Sequence, residues 1–293
     1  MADALPLSGL PWRGSGPKGR PEVFSSGPPP AHMALFHGAR PLKRWRYVGV
    51  FGENAMVCAA TVHLAGVPQS FWGLWDRGNR GNRKRGQLRE RTTFGRGGID
   101  LRDGVVRVRR PDVTIELALV ESGDRVEVLS PHGASTIWTR KRWATATGTV
   151  TIDGRAIAVD APALIDDSAG YHARKTEWCW AAGAGRSRDG RAIGWNLVTG
   201  IHDAPHSSER TVWVDGVASE VGPVTFSPRL DAVTFAGGEA LRFVEEAARE
   251  RHENRIVVSS TYRQPFGTLT GTLPGGLTLA HGLGVMERHS ARW

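Results

Sequence analysis

Two stretches of the 293-residue chain carry side chains able to move protons. Near the C-terminus Val285, Glu287 and His289 alternate with Met286 and Arg288, which on a strand puts the carboxylate and the imidazole on one face. Two residues apart, they can share a bound water or ligand, and such a pair does general acid–base work when it borders a water-poor pocket. The plainer alternative is a salt bridge that closes a barrel, with Arg174 or Arg263 as the partner of Glu287. The second stretch runs from Tyr171 to Gly185. Thr176, Trp178 and Trp180 alternate with Lys175, Glu177 and Cys179, so two indoles line one strand face while a carboxylate and a thiol take the other. Tyr171, His172 and Arg174 precede this strand. A crossover at a barrel mouth would bring His172 and Glu177 to a shared cavity. Trp195 and Asn196, two strand-like residues further on, complete the candidate ligand contacts. The candidate catalytic groups are therefore Glu177, His172, Glu287 and His289, and the candidate ligand contacts are Tyr171, Arg174, Trp178, Trp180, Trp195 and Asn196.

Other constellations are weaker. His202, Asp203, His206 and Glu209 are ligand-type residues, but Pro205 and the polar surroundings argue against the helix that an i, i+4 histidine pair needs. The reading there is a loop over a cavity or plain surface, and no metal is expected. Gly183-Ala184-Gly185 lacks the strand-to-helix setting of a phosphate loop, and Ser168 and Ser207 lack that of a nucleophile elbow. No cofactor is expected. Cys58 and Cys179 are the only cysteines, which gives neither a disulfide framework nor paired metal spacing.

The elements that must position these groups read as β. Short runs of β-branched and aromatic residues are bounded by Gly, Asn, Asp and Pro, and no long amphipathic helix stands out. Asp153-Gly154, Asp189-Gly190 and Asp215-Gly216 are hairpin signals, and Glu121–Asp124 is read as another. Asp166-Asp167-Ser168 reads as a polar turn. Glu245–His252 has helical composition but sits among strands, so a strand edge or short helical turn is expected. Eleven tryptophans against three tyrosines favour wide apolar interiors. The spacing predicts an all-β protein. Residues 1–40 form an irregular Gly/Pro-rich arm, pinned by Trp12, Phe24, Met33 and Phe36; residues 41–160 form one β domain and 161–293 a second, joined through 161–175.

The formal charge of +9 is concentrated. Between Arg77 and Arg96 eight basic residues face one acid, Glu90, in a segment with no apolar periodicity. A contact with an anionic polymer is possible there, but no aromatics are interleaved for base stacking within 78–91, and nucleic acid is not the expected partner. No signal peptide or spanning segment is evident, so a cytoplasmic location is expected and the oligomeric state stays open.

Several motifs carry a resemblance. Lys43-Arg44-Trp45-x-Tyr47, Trp138–Arg142, Thr176-x-Trp178-x-Trp180-Ala181-x-Gly183-x-Gly185 and Trp213-Val214-Asp215-Gly216 are four of them. Gln264-x-Phe266-Gly267-Thr268 and the terminal Glu287-x-His289-x-Ala291-Arg292-Trp293 are the others. Together, from about residue 40 to the end, they resemble the bacterial domain-of-unknown-function family 2804. That family is distantly similar to two-domain calycin (lipocalin-like) proteins, among them carotenoid hydratases of the hydroxyneurosporene synthase type and fungal cofactor-free cyclases acting on polyenes. The resemblance implies two tandem calycin-like barrels or sandwiches around an apolar ligand cavity. The Asp-His-x-Trp-Gly element of the hydratases is absent, since Lys175-Thr176-Glu177-Trp178-Cys179 stands at the comparable place; hydration by that pair does not carry over. The expectation is a protein that binds a hydrophobic small molecule (lipid-, polyene- or terpenoid-like) in a β-barrel cavity, either a cofactor-independent isomerase, cyclase or hydratase using a carboxylate–His pair, or a non-catalytic carrier or sensor.

Overall fold

The computed structural model describes residues 10–16, 19–21, 33–78, 86–95, 97–254 and 259–292. All regular structure among them is β. After β1 (Trp12–Gly14) and a small hairpin of β2 (Phe36–His37) and β3 (Arg40–Pro41), the first large sheet uses nine strands: β4 (Lys43–Phe51), β5 (Ala55–Leu64), β6 (Val67–Asp76), β7 (Gln87–Phe94), β8 (Ile99–Arg102), β9 (Val105–Arg109), β10 (Val113–His132), β11 (Ser135–Ile152) and β12 (Arg155–Gly170). The second uses β13 (Lys175–Ser187), β14 (Ala192–Thr199), β15 (Thr211–Val214), β16 (Val217–Glu220), β17 (Val224–Phe226), β18 (Ala232–Phe235), β19 (Ala240–Asn254), β20 (Ser259–Leu273) and β21 (Leu277–Arg292).

Both sheets have the same topology. The first runs β7-β6-β5-β4-β12-β11-β10-β9-β8 and the second β16-β15-β14-β13-β21-β20-β19-β18-β17. In each, the first strand of the unit pairs with the last, so a nine-stranded antiparallel meander is drawn round on itself. The chain passes from one unit to the other between Gly170 and Lys175.

Asp153–Gly154 and Asp215–Gly216 take positive φ at both positions, as the right-handed twist of a two-residue hairpin requires. Two expectations are corrected. Glu121–Asp124 is a bulge inside the 20-residue β10. The Asp124 amide there donates to Gly216 O, so the bulge aims backbone at the second unit. Asp166–Ser168 and the supposed linker from 161 to 170 belong to β12; their carboxylates stay buried because Arg46, Arg140 and Arg142 bind Asp167 and Lys141 binds Asp166. Glu245–His252 takes the first of its two expected forms, a strand edge: it lies within β19 and pairs with β20, while β18 pairs only with residues 240–242. The arm is not wholly irregular: β1 adds to β10, while Trp12 and Met33 pack on Leu129 and Trp138. Phe36 is exposed, and Phe24 lies outside the described residues.

Apolar side chains divide into three main bodies. Val, Ile, Leu and Ala fill the inside of the first sheet, and a second set around Trp195, Phe235, Phe243 and Leu269 fills the inside of the second. The third lies between the sheets. Tyr47, Phe51, Trp75 and Trp143 of the first unit meet Trp180, Trp213, Phe266 and Val285 of the second. Trp143 and Trp213 stack there at 5.7 Å, over Gly194, where a Cβ would come within 2.5 Å of the Trp143 ring.

Candidate functional site

A cavity of about 500 Å³ opens in this third layer, between the outer faces of the two sheets. This corrects the expectation of a cavity within a barrel: the sheet interiors are filled by packed aliphatic and aromatic side chains, and the space lies between the two units. Strand register explains its walls. Across the first sheet Lys141, Asp166, Tyr47, Ala60, Phe71 and Thr92 lie side by side on adjoining strands. The neighbouring row is Ser168, Trp45, Val62, Gln69 and Phe94, two residues along each strand and so on the same face. At about 4.8 Å per strand, the six-strand row spans roughly 24 Å. From the second sheet Val198, Trp180 and Glu287 form one row, and Trp178, His289, Tyr262 and Arg251 the next. The floor is ionic at the Lys141 end and apolar towards Phe71.

Glu287 is the central polar group. Trp178 Nε1 donates to Oε1 at 2.7 Å and Gln264 Nε2 to Oε2 at 2.9 Å. Burial pushes the Glu287 carboxyl up to about 7, against the pull of Trp178 and of the nearby Arg249. The buried Tyr262 hydroxyl approaches it without the geometry of a settled hydrogen bond. His289 packs edge-on against Trp178 at 4.2 Å, and its Nε2 meets Ser260 Oγ at 2.8 Å. Burial, with Lys43 adding to it, lowers His289 to about 4, so the ring is neutral near pH 7. Arg249 reaches across from β19: its Nε donates to Glu90 at 2.7 Å, and its guanidinium lies 4.4 Å from the Phe71 ring centroid. Gly73 makes this possible, because a Cβ there would come within 2.6 Å of Arg249 Cδ.

At the other end Lys141 Nζ bridges Asp166 at 2.7 Å and Glu209 at 3.2 Å. Burial pulls Lys141 down, but the two carboxylates outweigh it and raise its pKa. Glu209 is raised by its own burial, with Lys141 opposing. Asn196 Nδ2 donates to Glu209 O at 3.0 Å and its Oδ1 accepts from Trp180 Nε1 at 2.8 Å, which ties this cluster to the indole wall. His202 is tied to it through the backbone, the Glu209 amide donating to His202 O at 3.0 Å, and its Nδ1 meets Ser130 Oγ at 2.9 Å.

The profile of DUF2804, a domain of unknown function, matches residues 105–293. The chain belongs to this family. No curated protein matches it. Among solved structures, a Nitrosomonas europaea protein described as an AttH is similar with a TM-score of 0.51 and 14% identity, over 86% of this chain and 93% of that one. Kievitone hydratase from Nectria haematococca gives 0.53 and 12% identity, over 84% and 88%. At such identities the likeness establishes a shared all-β, two-unit calycin-like fold. No helix among the described residues is long and apolar enough to cross a membrane.

In this DUF2804 chain four of the ten sequence candidates, Glu287, His289, Trp178 and Trp180, line the cavity. Asn196 stands just behind the wall, bonded to Trp180. The others lie elsewhere. Glu177 is exposed and bound to Lys175 and Ser290, since alternation sends it away from the indoles. Arg174 is exposed. His172 is buried against Trp45 and His132 outside the cavity wall, and the Tyr171 hydroxyl donates to Ala34 O. Trp195 fills the inside of the second sheet. Arg263 bonds to Glu245 and Glu250 rather than to Glu287.

Sequence reasoning missed Lys141, Asp166, Glu209, His202, Arg249 and Tyr262. Lys141 sits in a recognisable motif, but Asp166 looked like a turn; Glu209 and His202 read as a loop over a cavity or plain surface, and they line the cavity. Of the basic segment 77–96, residues 79–85 and 96 lie outside the described residues. Arg77 binds Glu246 and Glu53, and Arg89 binds Asp153.

Proposed function

We propose that the cavity between the sheets is the site of a proton-transfer enzyme acting on an apolar small molecule, by hydration, isomerisation or cyclisation. One observation carries this: Glu287, with a pKa near 7, borders an indole-lined apolar cavity. Near neutral pH it exists both as acid and as base, the condition under which a single carboxyl can give a proton and take one back. As the acid it protonates a carbon–carbon double bond. The indoles of Trp178 and Trp180 face the electron-poor centre that results and stabilise it through their π faces. Water, or a nucleophile within the substrate, then adds, or a neighbouring C–H loses its proton. In each case the released proton returns to the Glu287 carboxylate. Neutral His289, fixed by Ser260, holds Trp178 in place. The fold of a protein named kievitone hydratase is compatible with this reading, but the chemistry is argued from the residues of this chain.

The test uses an apolar extract of the source organism, incubated with the protein in D₂O. Products shifted in mass by deuterium form with the wild type and not with Glu287→Gln. A compound retained by both proteins with no labelled product would instead mark a carrier.

A further inference from the structure

The Lys141–Asp166–Glu209 cluster has no part in the proton transfer just described, yet it lines the same cavity. It is a costly thing to place beside apolar walls, because three ionisable groups are withdrawn from water together. Its internal bonds account for Lys141, Asp166 and Glu209. They do not account for His202. That ring is buried, lines the cavity and uses Nδ1 on Ser130, while its Nε2 has no hydrogen-bond partner among the described residues. An unpaired buried ring nitrogen at a cavity wall is the kind of group a ligand satisfies.

We infer that this end of the cavity is a recognition site for a hydroxyl group, and that the substrate is an apolar molecule bearing an alcohol at one end. The inference rests on the cavity being the site proposed above and adds the class of molecule that enters it. Three features select the group. A pure hydrocarbon leaves His202 Nε2 unsatisfied. A carboxylate would enter beside Asp166 and Glu209, whose only bridging cation, Lys141, is already shared between them. A hydroxyl both donates and accepts, so it matches Nε2 in either tautomer of the neutral ring. The polarity of the floor gives the orientation: alcohol at Lys141 and His202, the body under Trp180 and Trp178 beside Glu287, and the apolar tail over Ala60 and Val62, short of Arg249 and Arg251 at the Phe71 end.

The test displaces a bound neutral dye, N-phenyl-1-naphthylamine, with 1-decanol, its methyl ether 1-methoxydecane, and decanoate. Decanoate is included because Lys43 also lines the cavity. The wild type is expected to bind decanol about tenfold more tightly than the ether and than decanoate. His202→Asn keeps a residue that tolerates the left-handed backbone at this position (φ 49°) but withdraws the imidazole. It and Glu209→Gln are expected to bring decanol and ether within about twofold of each other, each affinity being read against that variant's own dye affinity. Equal binding of decanol and ether by the wild type overturns the inference without any variant. So does tighter binding of decanoate, or a preference for decanol that survives both substitutions. Failure of the dye and all three compounds to bind overturns this inference and the proposed function together. A decanol preference alongside absent deuterium labelling overturns only the catalytic reading.

Discussion

The inside of the first sheet and the space between the sheets are both buried, yet they are built from different residues. Within the first sheet the packed side chains are aliphatic, with Trp72 the one aromatic among them. Between the sheets Tyr47, Phe51, Trp75, Trp143, Trp180, Trp213 and Phe266 dominate, and Glu287, Lys141, Asp166, Glu209 and Arg249 are buried among them. Small branched residues interdigitate without gaps. Large flat rings meeting across two curved surfaces leave space, and their N–H edges satisfy buried carboxylates, as Trp178 does for Glu287. The difference teaches that here the barrel interiors are structural cores and their outer faces make the cavity.

The sharpest way to break this contrast is chemical. Glu287→Gln is expected to lower the rate of deuterium labelling by about 10²–10⁴-fold, the usual worth of a positioned acid–base group. Retention of labelling would return Glu287 to a structural role. Next, the two layers should respond to substitution in opposite ways. Ile115→Ala, inside the first sheet, is expected to cost about 2–5 kcal/mol in chemical denaturation while dye affinity holds. Val62→Phe, at a half-buried position of the cavity floor, is expected to weaken dye binding about tenfold with a stability change under about 1 kcal/mol, because the added ring enters the cavity.

A pH series sharpens the comparison further. The folded-state pKa of Glu287 is raised, so its acid form stabilises the fold at low pH and that contribution is lost as pH rises from about 4.5 to about 7. His289 is depressed, so its contribution is present above about 6.5 and lost as pH falls towards about 4. Between these limits the two slopes oppose each other, and the wild-type curve is flat. Glu287→Gln removes one of them: its stability relative to wild type is expected to climb by about 3 kcal/mol between pH 4.5 and pH 8 in urea titrations. A constant difference across that range would show an ordinary carboxylate. The smallest effect is at Gly73→Ala, where the new methyl displaces Arg249. A loss of about 1–2 kcal/mol is expected, reduced in an Arg249→Met background because the clash is with the guanidine stem.

Much of the fold was legible along the chain. Alternation, Gly-rich turns and the scarcity of helical periodicity pointed to antiparallel sheets, and two Asp-Gly hairpins fall where the dipeptides placed them. The terminal Glu287-x-His289 pair was legible too, because period-two alternation fixes which residues share a face, and that face reaches the cavity. Where strands end was not. Asp166-Asp167-Ser168 looks like a turn only until Arg46, Arg140, Arg142 and Lys141 are brought to it from 25 and more residues away. Composition cannot foresee partners that distant.

The chain by itself determined which residues lie together on a strand face, since that depends on local backbone geometry alone. Only the tertiary structure decided that the faces of two sheets meet around a cavity, and that Lys141, Asp166 and His202 border it with Glu287. Those groups are separated by up to 146 residues, between Lys141 and Glu287. Strand pairing across the meanders, and the docking of one sheet on the other, brings them within reach of one ligand.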